Sequence, residues 1–294
     1  MTETEALSLE EALDRAINRA AADQPDLPRG VSTGFTDLDS LTGGLRPGTL
    51  TVLASRPAVG RSTLLLNICR NAAIPAPRRT GPHIPVLHIS LEDGTSETVQ
   101  RIMSAESRVA LHHLRSGTLT SEDVTRLERR MPTVANAPLY LWDPPRVTAA
   151  QIATKATRYI EDNDVQLIAI DGIQDIRPEK RNDLREREVG DVVRDLKALA
   201  RELDVPVVAT SHLNRAPEQR HDRVPMLDDL RESGAITFAA DTILLLHRPD
   251  AYERDTPRAG EADFLVVKHR QGPTATITVA FQGHYSRFVD MAQT

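Results

Sequence analysis

The chain has 294 residues, 40% of them hydrophobic, and a formal net charge of −6. That length and apolar content exclude a disordered chain and predict one large domain with a substantial core. The charge gives no whole-protein argument for nucleic acid, although a ring or groove could still concentrate basic groups locally.

Cys69 is the only cysteine, which rules out an intrachain disulfide and suits a reducing, cytoplasmic setting. The N-terminus is acidic and lacks the apolar segment of a signal peptide. No apolar run approaches the roughly 18 residues needed to cross a bilayer, so the expectation is a cytoplasmic protein with no membrane partner.

In chain order, Ser8 and Glu11 have capping-box spacing, and Leu9, Leu13, Ala16, Ile17 and Ala20 form one apolar stripe. This predicts a short amphipathic helix that docks either on its own domain or on a neighbouring subunit. A polar, proline-containing stretch separates it from the rest. From residue 49 onward, apolar runs of strand length alternate with helical patterns, beginning with "TLTVLAS", "PVLHISLE", "APLYLWD", "VQLIAID" and "VPVVATSHL". Such runs, buried on both faces and separated by helices, predict an α/β fold with a mostly parallel sheet. The closing strands "DTILLLH", "DFLVVKHR" and "ATITVAFQG" lack helices between them and can pair antiparallel.

"SRPAVGRST", residues 55–63, follows the first strand and opens a helix, the layout of a phosphate-binding loop. Gly60 supplies the turn and Ser62 a hydroxyl for Mg2+. Two positions depart from the usual pattern, with Ser55 for the first glycine and Arg61 for the lysine. Only four of the 36 basic residues are lysines, so arginine in this loop also reflects a general bias.

Nucleotide hydrolysis also needs a metal-orienting acid and a water-activating group at neighbouring strand ends. Asp171 ends "LIAID" and Glu92 ends "VLHISLE". Ser211 and His212 end another strand, where they could sense a γ-phosphate. Lys268 and Arg270, at i and i+2, share a strand face that suits either phosphate contact or a solvated edge.

Taken together, "SRPAVGRST", "ISLED", "LKALARELDVPVV", "SHLNR", "DLRESGAI" and "KHRQGP" occur in an order that resembles the C-terminal motor domain of the DnaB family of hexameric helicases, within the RecA-like ATPases. The resemblance runs from "VSTGF" to "GHYSRF". It implies a linker-type helix over 1–28 and a motor domain over 29–294, with a RecA-like sheet, antiparallel C-terminal strands, and ATP and Mg2+ as cofactors. Ser55, Arg56, Pro57, Ala58, Val59, Gly60, Arg61, Ser62 and Thr63 would form the phosphate loop, with Arg101 near the phosphates. Glu92 would activate water, and Ser62 and Asp171 would hold the metal.

His212 falls on a position that the family usually fills with glutamine. Lys268 and Arg270 would reach a neighbouring subunit's γ-phosphate, which implies a homo-oligomeric, hexameric ring. Arg231, Glu232 and Gly234 would meet single-stranded DNA, joined by the loop arginines Arg215, Arg220 and Arg223. The aromatic content of 3% argues against base stacking as the main mode of DNA contact. The leading expectation is thus an ATP-driven helicase or translocase with an atypical arginine in its phosphate loop. The alternatives are a nucleotide-gated assembly or DNA-binding protein that scarcely hydrolyses ATP, or another RecA-like recombination or regulatory ATPase.

Overall fold

The computed structural model describes residues 8–11, 13, 14, 17, 30–75, 83–179, 182, 184–230, 233–253 and 255–291. In chain order, α1 (Thr36–Thr42) leads into β1 (Leu50–Ser55), and α2 (Arg61–Ala73) into β2 (Val86–Ser90). Three helices, α3 (Thr95–Ser107), α4 (Leu111–Ser116) and α5 (Ser121–Ala135), precede β3 (Leu139–Trp142). Then come α6 (Ala149–Asn163), β4 (Leu167–Asp171), α7 (Arg185–Leu203), β5 (Val207–His212), the one-turn α8 (Ala216–Gln219) and α9 (Ser233–Ala239). The chain closes with β6 (Thr242–His247), β7 (Glu261–His269), β8 (Ala275–Gln282) and β9 (Arg287–Asp290).

All nine strands form one sheet in the order β3-β2-β4-β5-β1-β6-β7-β8-β9. Pairings from β3 through β6 are parallel and those from β6 through β9 antiparallel, as the strand and helix pattern predicts. The apolar runs are continuous because both faces are covered. Val52, Ile168, Val207 and Ile243 join a core under α6, α7 and α9, while Leu53, Leu167, Val208 and Leu244 join the core under α2.

The segment "LDDLRESGAITFAA" is not one continuous helix. A short 3-10 turn covers Leu227–Asp229 and the helix starts at Ser233. The Asp229 carboxylate accepts from Met226 N and from Arg220, which fixes a tight turn where a helix would otherwise begin. α9 approaches α7 so closely that a Cβ at Gly190 would lie 2.9 Å from Ala235 Cβ, so glycine is what lets the two helices meet. In the N-terminal segment the Ser8 and Glu11 capping bonds form, and Leu9, Leu13 and Ile17 are exposed. Among the described residues, no helix is long and apolar enough to cross a membrane.

Candidate functional site

Parallel pairing lines up the carboxyl ends of the central strands. Ser90 of β2 sits beside Asp171 of β4, and Ser55 of β1 beside His212 of β5. Ligands of open α/β sheets bind at this edge. Here an open cleft of about 940 Å³ is lined by Arg56, Pro57, Ala58, Gly60, Arg61, Ser62 and Thr63, together with Glu92, Arg101 and His212.

The loop between β1 and α2 is shaped by two positive-φ residues, Ala58 at 63° and Gly60 at 114°. At Gly60 a Cβ would also meet Phe288 Cζ at 3.2 Å. Ser55 needs no glycine: it is the buried last residue of β1, and its hydroxyl donates to Arg56 O at 2.8 Å. The first departure from the usual loop pattern therefore leaves the backbone unstrained. Val59 is buried beneath the loop, while Pro57 and Ala58 are exposed at its tip. Arg56 turns away to pair with Glu218 and to donate to Leu213 O.

Arg61, at the first position of α2, lies at the centre of the charges. Its Nη2 donates to Glu92 Oε1, and its Nη1 lies 2.8 Å from His212 Nδ1. His212 Nε2 is 3.3 Å from the same Glu92 oxygen. His212 Nε2 also lies 3.0 Å from Arg61 Nη2; a guanidinium only donates, so a tautomer with Nδ1 accepting from Arg61 and Nε2–H facing Glu92 satisfies the Nη1 and Glu92 contacts but not this third one. Burial pushes the Glu92 carboxyl up, but the His212 hydrogen bond and the charge and hydrogen bond of Arg61 outweigh it and bring it down to about 2.

Asp171 is 2% exposed, and its Oδ1 accepts from the Thr210 hydroxyl at 2.7 Å, with the Ser62 hydroxyl close by. Burial raises its proton affinity, the Thr210 bond opposes that, and the charge of Glu92 adds to it. A buried carboxylate beside a hydroxyl is a set of hard oxygen donors, which fits Mg2+. Arg101 lines the cleft and pairs with Asp93 at 2.8 Å, leaving its Nε buried without a partner.

Lys268 and Arg270 lie at the opposite edge of the sheet. Lys268 pairs with Ile243 near the start of β6 and donates to the carbonyls of Thr237 and Ala240 at the end of α9. Arg270, half exposed, donates to Phe238 O at 3.0 Å and lies 3.5 Å from Asp241. Of the residues expected to meet DNA, Arg215 and Gly234 are exposed. Arg220 forms a two-pronged pair with Asp229, and Arg223 donates to Tyr252 O and lies over its ring. Arg231 and Glu232 lie outside the described residues.

Sequence reasoning missed several groups here. Arg248, just past β6, and Phe281, near the end of β8, reach the cleft edge with the guanidinium 3.8 Å from the ring centre. Both follow from strand direction, because β8 runs parallel to β6 and ends at the same edge. Ser286 adds a hydroxyl 3.5 Å from that of Thr63. Asp175, Glu92 and His212 bring their ligand atoms within 4.8 Å of one another, and the Arg61 guanidinium already supplies a cation to Glu92 there.

Residues 30–290 match the family described as DnaB-like helicase C terminal domain. The chain is 49% identical over 263 residues to the replicative DNA helicase DnaB of Leifsonia xyli subsp. xyli (strain CTCB07), covering 90% of this chain and 56% of that protein. It is 37% identical to the replicative DNA helicase DnaC of Bacillus subtilis (strain 168), covering 89% of this chain and 57% of that one. The chain thus spans little more than half the length of these relatives. A solved ATPase domain superposes with a TM-score of 0.90 at 30% identity, covering 98% of this chain and all of that one. A DnaB-like replicative helicase, solved in a study of its interactions with primase, superposes with a TM-score of 0.87 at 30% identity over 97% of this chain and 69% of that one. With residues 30–290 matched by the family model and the full length of a solved ATPase domain superposed, the chain belongs to the family of DnaB-like helicase C-terminal domains.

Proposed function

We propose that the chain is an ATP-hydrolysing motor that works as a ring on single-stranded DNA. The observation that carries this reading is the convergence of Arg61, Ser62, Glu92, Asp171 and His212 at one edge of the sheet, around a cleft that opens on the N-terminus of α2. The helix end and the loop N–H groups favour phosphate there. Ser62 and Asp171 would hold Mg2+, which when bound neutralises charge on the phosphate oxygens.

Within this chain, Arg61 and Arg101 orient the phosphates, Glu92 takes the proton of the attacking water, and His212 reports the γ-phosphate to the loop that follows β5. Arg248 and Phe281 offer a flat cationic and aromatic surface for a base. Lys268 and Arg270 serve the next copy's cleft, since they stand at the far edge of their own sheet. The DNA path runs along Arg215, Arg231, Glu232 and Gly234, where charge and backbone contacts give tracking without sequence preference.

The test is Mg2+-dependent ATP turnover by the wild type and Arg61→Lys, with and without single-stranded DNA. Turnover that DNA stimulates and that Glu92→Gln abolishes is the expected result. A second reading, a nucleotide-gated assembly protein with little hydrolysis, is favoured by one observation: a carboxyl held down at about 2 is a weak base. Nucleotide binding without turnover, in the wild type and in Arg61→Lys alike, would select it.

A further inference from the structure

The Arg61 guanidinium carries two demands at once. At the first position of α2 it stands where the β and γ phosphates of a nucleotide would lie. Its two terminal nitrogens already have partners, Nη2 at Glu92 and at His212 Nε2, and Nη1 at His212 Nδ1. The remaining nitrogen, Nε, is buried without a partner.

A guanidinium grips phosphate through two parallel N–H groups along one edge of its plane. The outer edge uses both terminal nitrogens, and the side edge uses Nε, which is buried. Neither edge can offer both of its N–H groups while Glu92 and His212 are held, so a phosphate cannot take a two-bond grip without displacing one of them. The Arg61 side chain is 7% exposed and that of Glu92 26%, so the guanidinium is buried while the carboxylate faces the open cleft, where a phosphate could reach the pair. A lysine at this position would differ, since its ammonium is a point charge with three rotatable donors.

We propose that Glu92 and the terminal phosphate of a bound nucleotide compete for the Arg61 guanidinium, so that phosphate binding itself unclamps the base. Ground-state affinity is then lowered by the strength of the Arg61–Glu92 pair, and the carboxylate is withheld from water until the phosphate has taken the arginine. The arginine that replaces the usual lysine becomes a gate between binding and chemistry. His212 shares the clamp and passes back to Glu92 when Arg61 leaves, which keeps the carboxylate oriented.

This inference rests on the nucleotide reading above, and a binding measurement separates the two. Calorimetry would follow a non-hydrolysable ATP analogue with Mg2+ binding to the whole chain as wild type, Glu92→Gln, Arg61→Gln and the double variant. Removing the Glu92 charge relieves repulsion of phosphate in any background, so only the difference between backgrounds reports competition. The expected result is an affinity gain of about tenfold from Glu92→Gln when residue 61 is arginine, and of about twofold when it is glutamine. Arg61→Lys in the same cycle gives an intermediate gain and serves if Arg61→Gln unfolds, which thermal melting would reveal. Equal gains in all backgrounds overturn the competition and leave the nucleotide site standing. No binding in any form overturns both.

Discussion

Just past the carboxyl ends of β1, β2 and β5 the charged side chains pair with one another, Arg61 lying between Glu92 and His212 with almost no exposure. At the amino end of β6 the arrangement is looser. Arg270 is half exposed and rests on a backbone carbonyl, with Asp241 at 3.5 Å and mainly bound to Lys197. The six residues of β1 put about 20 Å between the two edges, so Arg270 cannot reach its own cleft. The cleft's charges are paired within one chain, whereas the far edge holds a half-exposed arginine that the proposed ring would bring to another copy.

The sharpest way to break that comparison is to disable each edge in a different copy. Arg270→Ala is expected to lower ATP turnover about a thousandfold, the scale of a missing trans arginine. Glu92→Gln is expected to lower it about a hundredfold or more through loss of the base. If the edges meet between copies, mixing the two inactive variants restores part of the activity. The complete site then joins Glu92 from the Arg270→Ala copy to Arg270 from the Glu92→Gln copy. A mixture as inert as its components would mean that Arg270 does not complete another copy's cleft.

The two edges were not equally legible in the sequence. The strands announced themselves because both faces of the sheet are buried, and Glu92, Asp171 and His212 could be placed because they end such strands. Their mutual bonds could not: Arg61 meets Glu92 across 31 residues and His212 across 151, through a register that the apolar runs do not encode. α5 also escaped notice, since only Asp123 and Leu127 of its 15 residues are buried and the apolar signal is thin. The engagement of Lys268 with the last carbonyls of α9 depended on the β6–β7 register, which the apolar runs do not encode.

A third charged cluster has the closed character of the cleft but no place at either edge, and it separates tight pairing from function. Glu106 accepts from Arg70 and Arg130 with its side chain 10% exposed. Burial pushes its carboxyl up, but the charge of Arg70 and the bonds from both arginines outweigh that and hold it below its usual 4.5. A depressed folded value stabilises the protein above the unfolded value, and that stability is lost as pH falls through the folded one. Glu106→Gln should therefore cost about 3 kcal/mol near pH 7 by stranding two arginines. The gap to wild type should close as pH drops below about 4.5, measured by denaturant unfolding across pH. A gap independent of pH would mean that packing, not charge, holds α3 to α5.

The smallest expected effect concerns the loop after β5, where three arginines look alike in sequence and differ in the fold. Arg220 neutralises Asp229, whose side chain is 1% exposed, so its guanidinium is occupied. Arg223 lies over Tyr252, and Arg215 is exposed. Single-stranded DNA binding weakens with salt in proportion to the phosphates neutralised, at about 0.7 in the log–log slope per contact. Arg215→Ala should lower that slope by about 0.7 at an unchanged melting temperature. Arg220→Ala should lower the melting temperature, by leaving Asp229 buried without its cation, and leave the slope nearly as it was. If Arg220→Ala cuts the slope with no loss of stability, the pair opens to phosphate, and the closed contacts of this chain are gates in two places: Arg61 for the nucleotide and Arg220 for DNA.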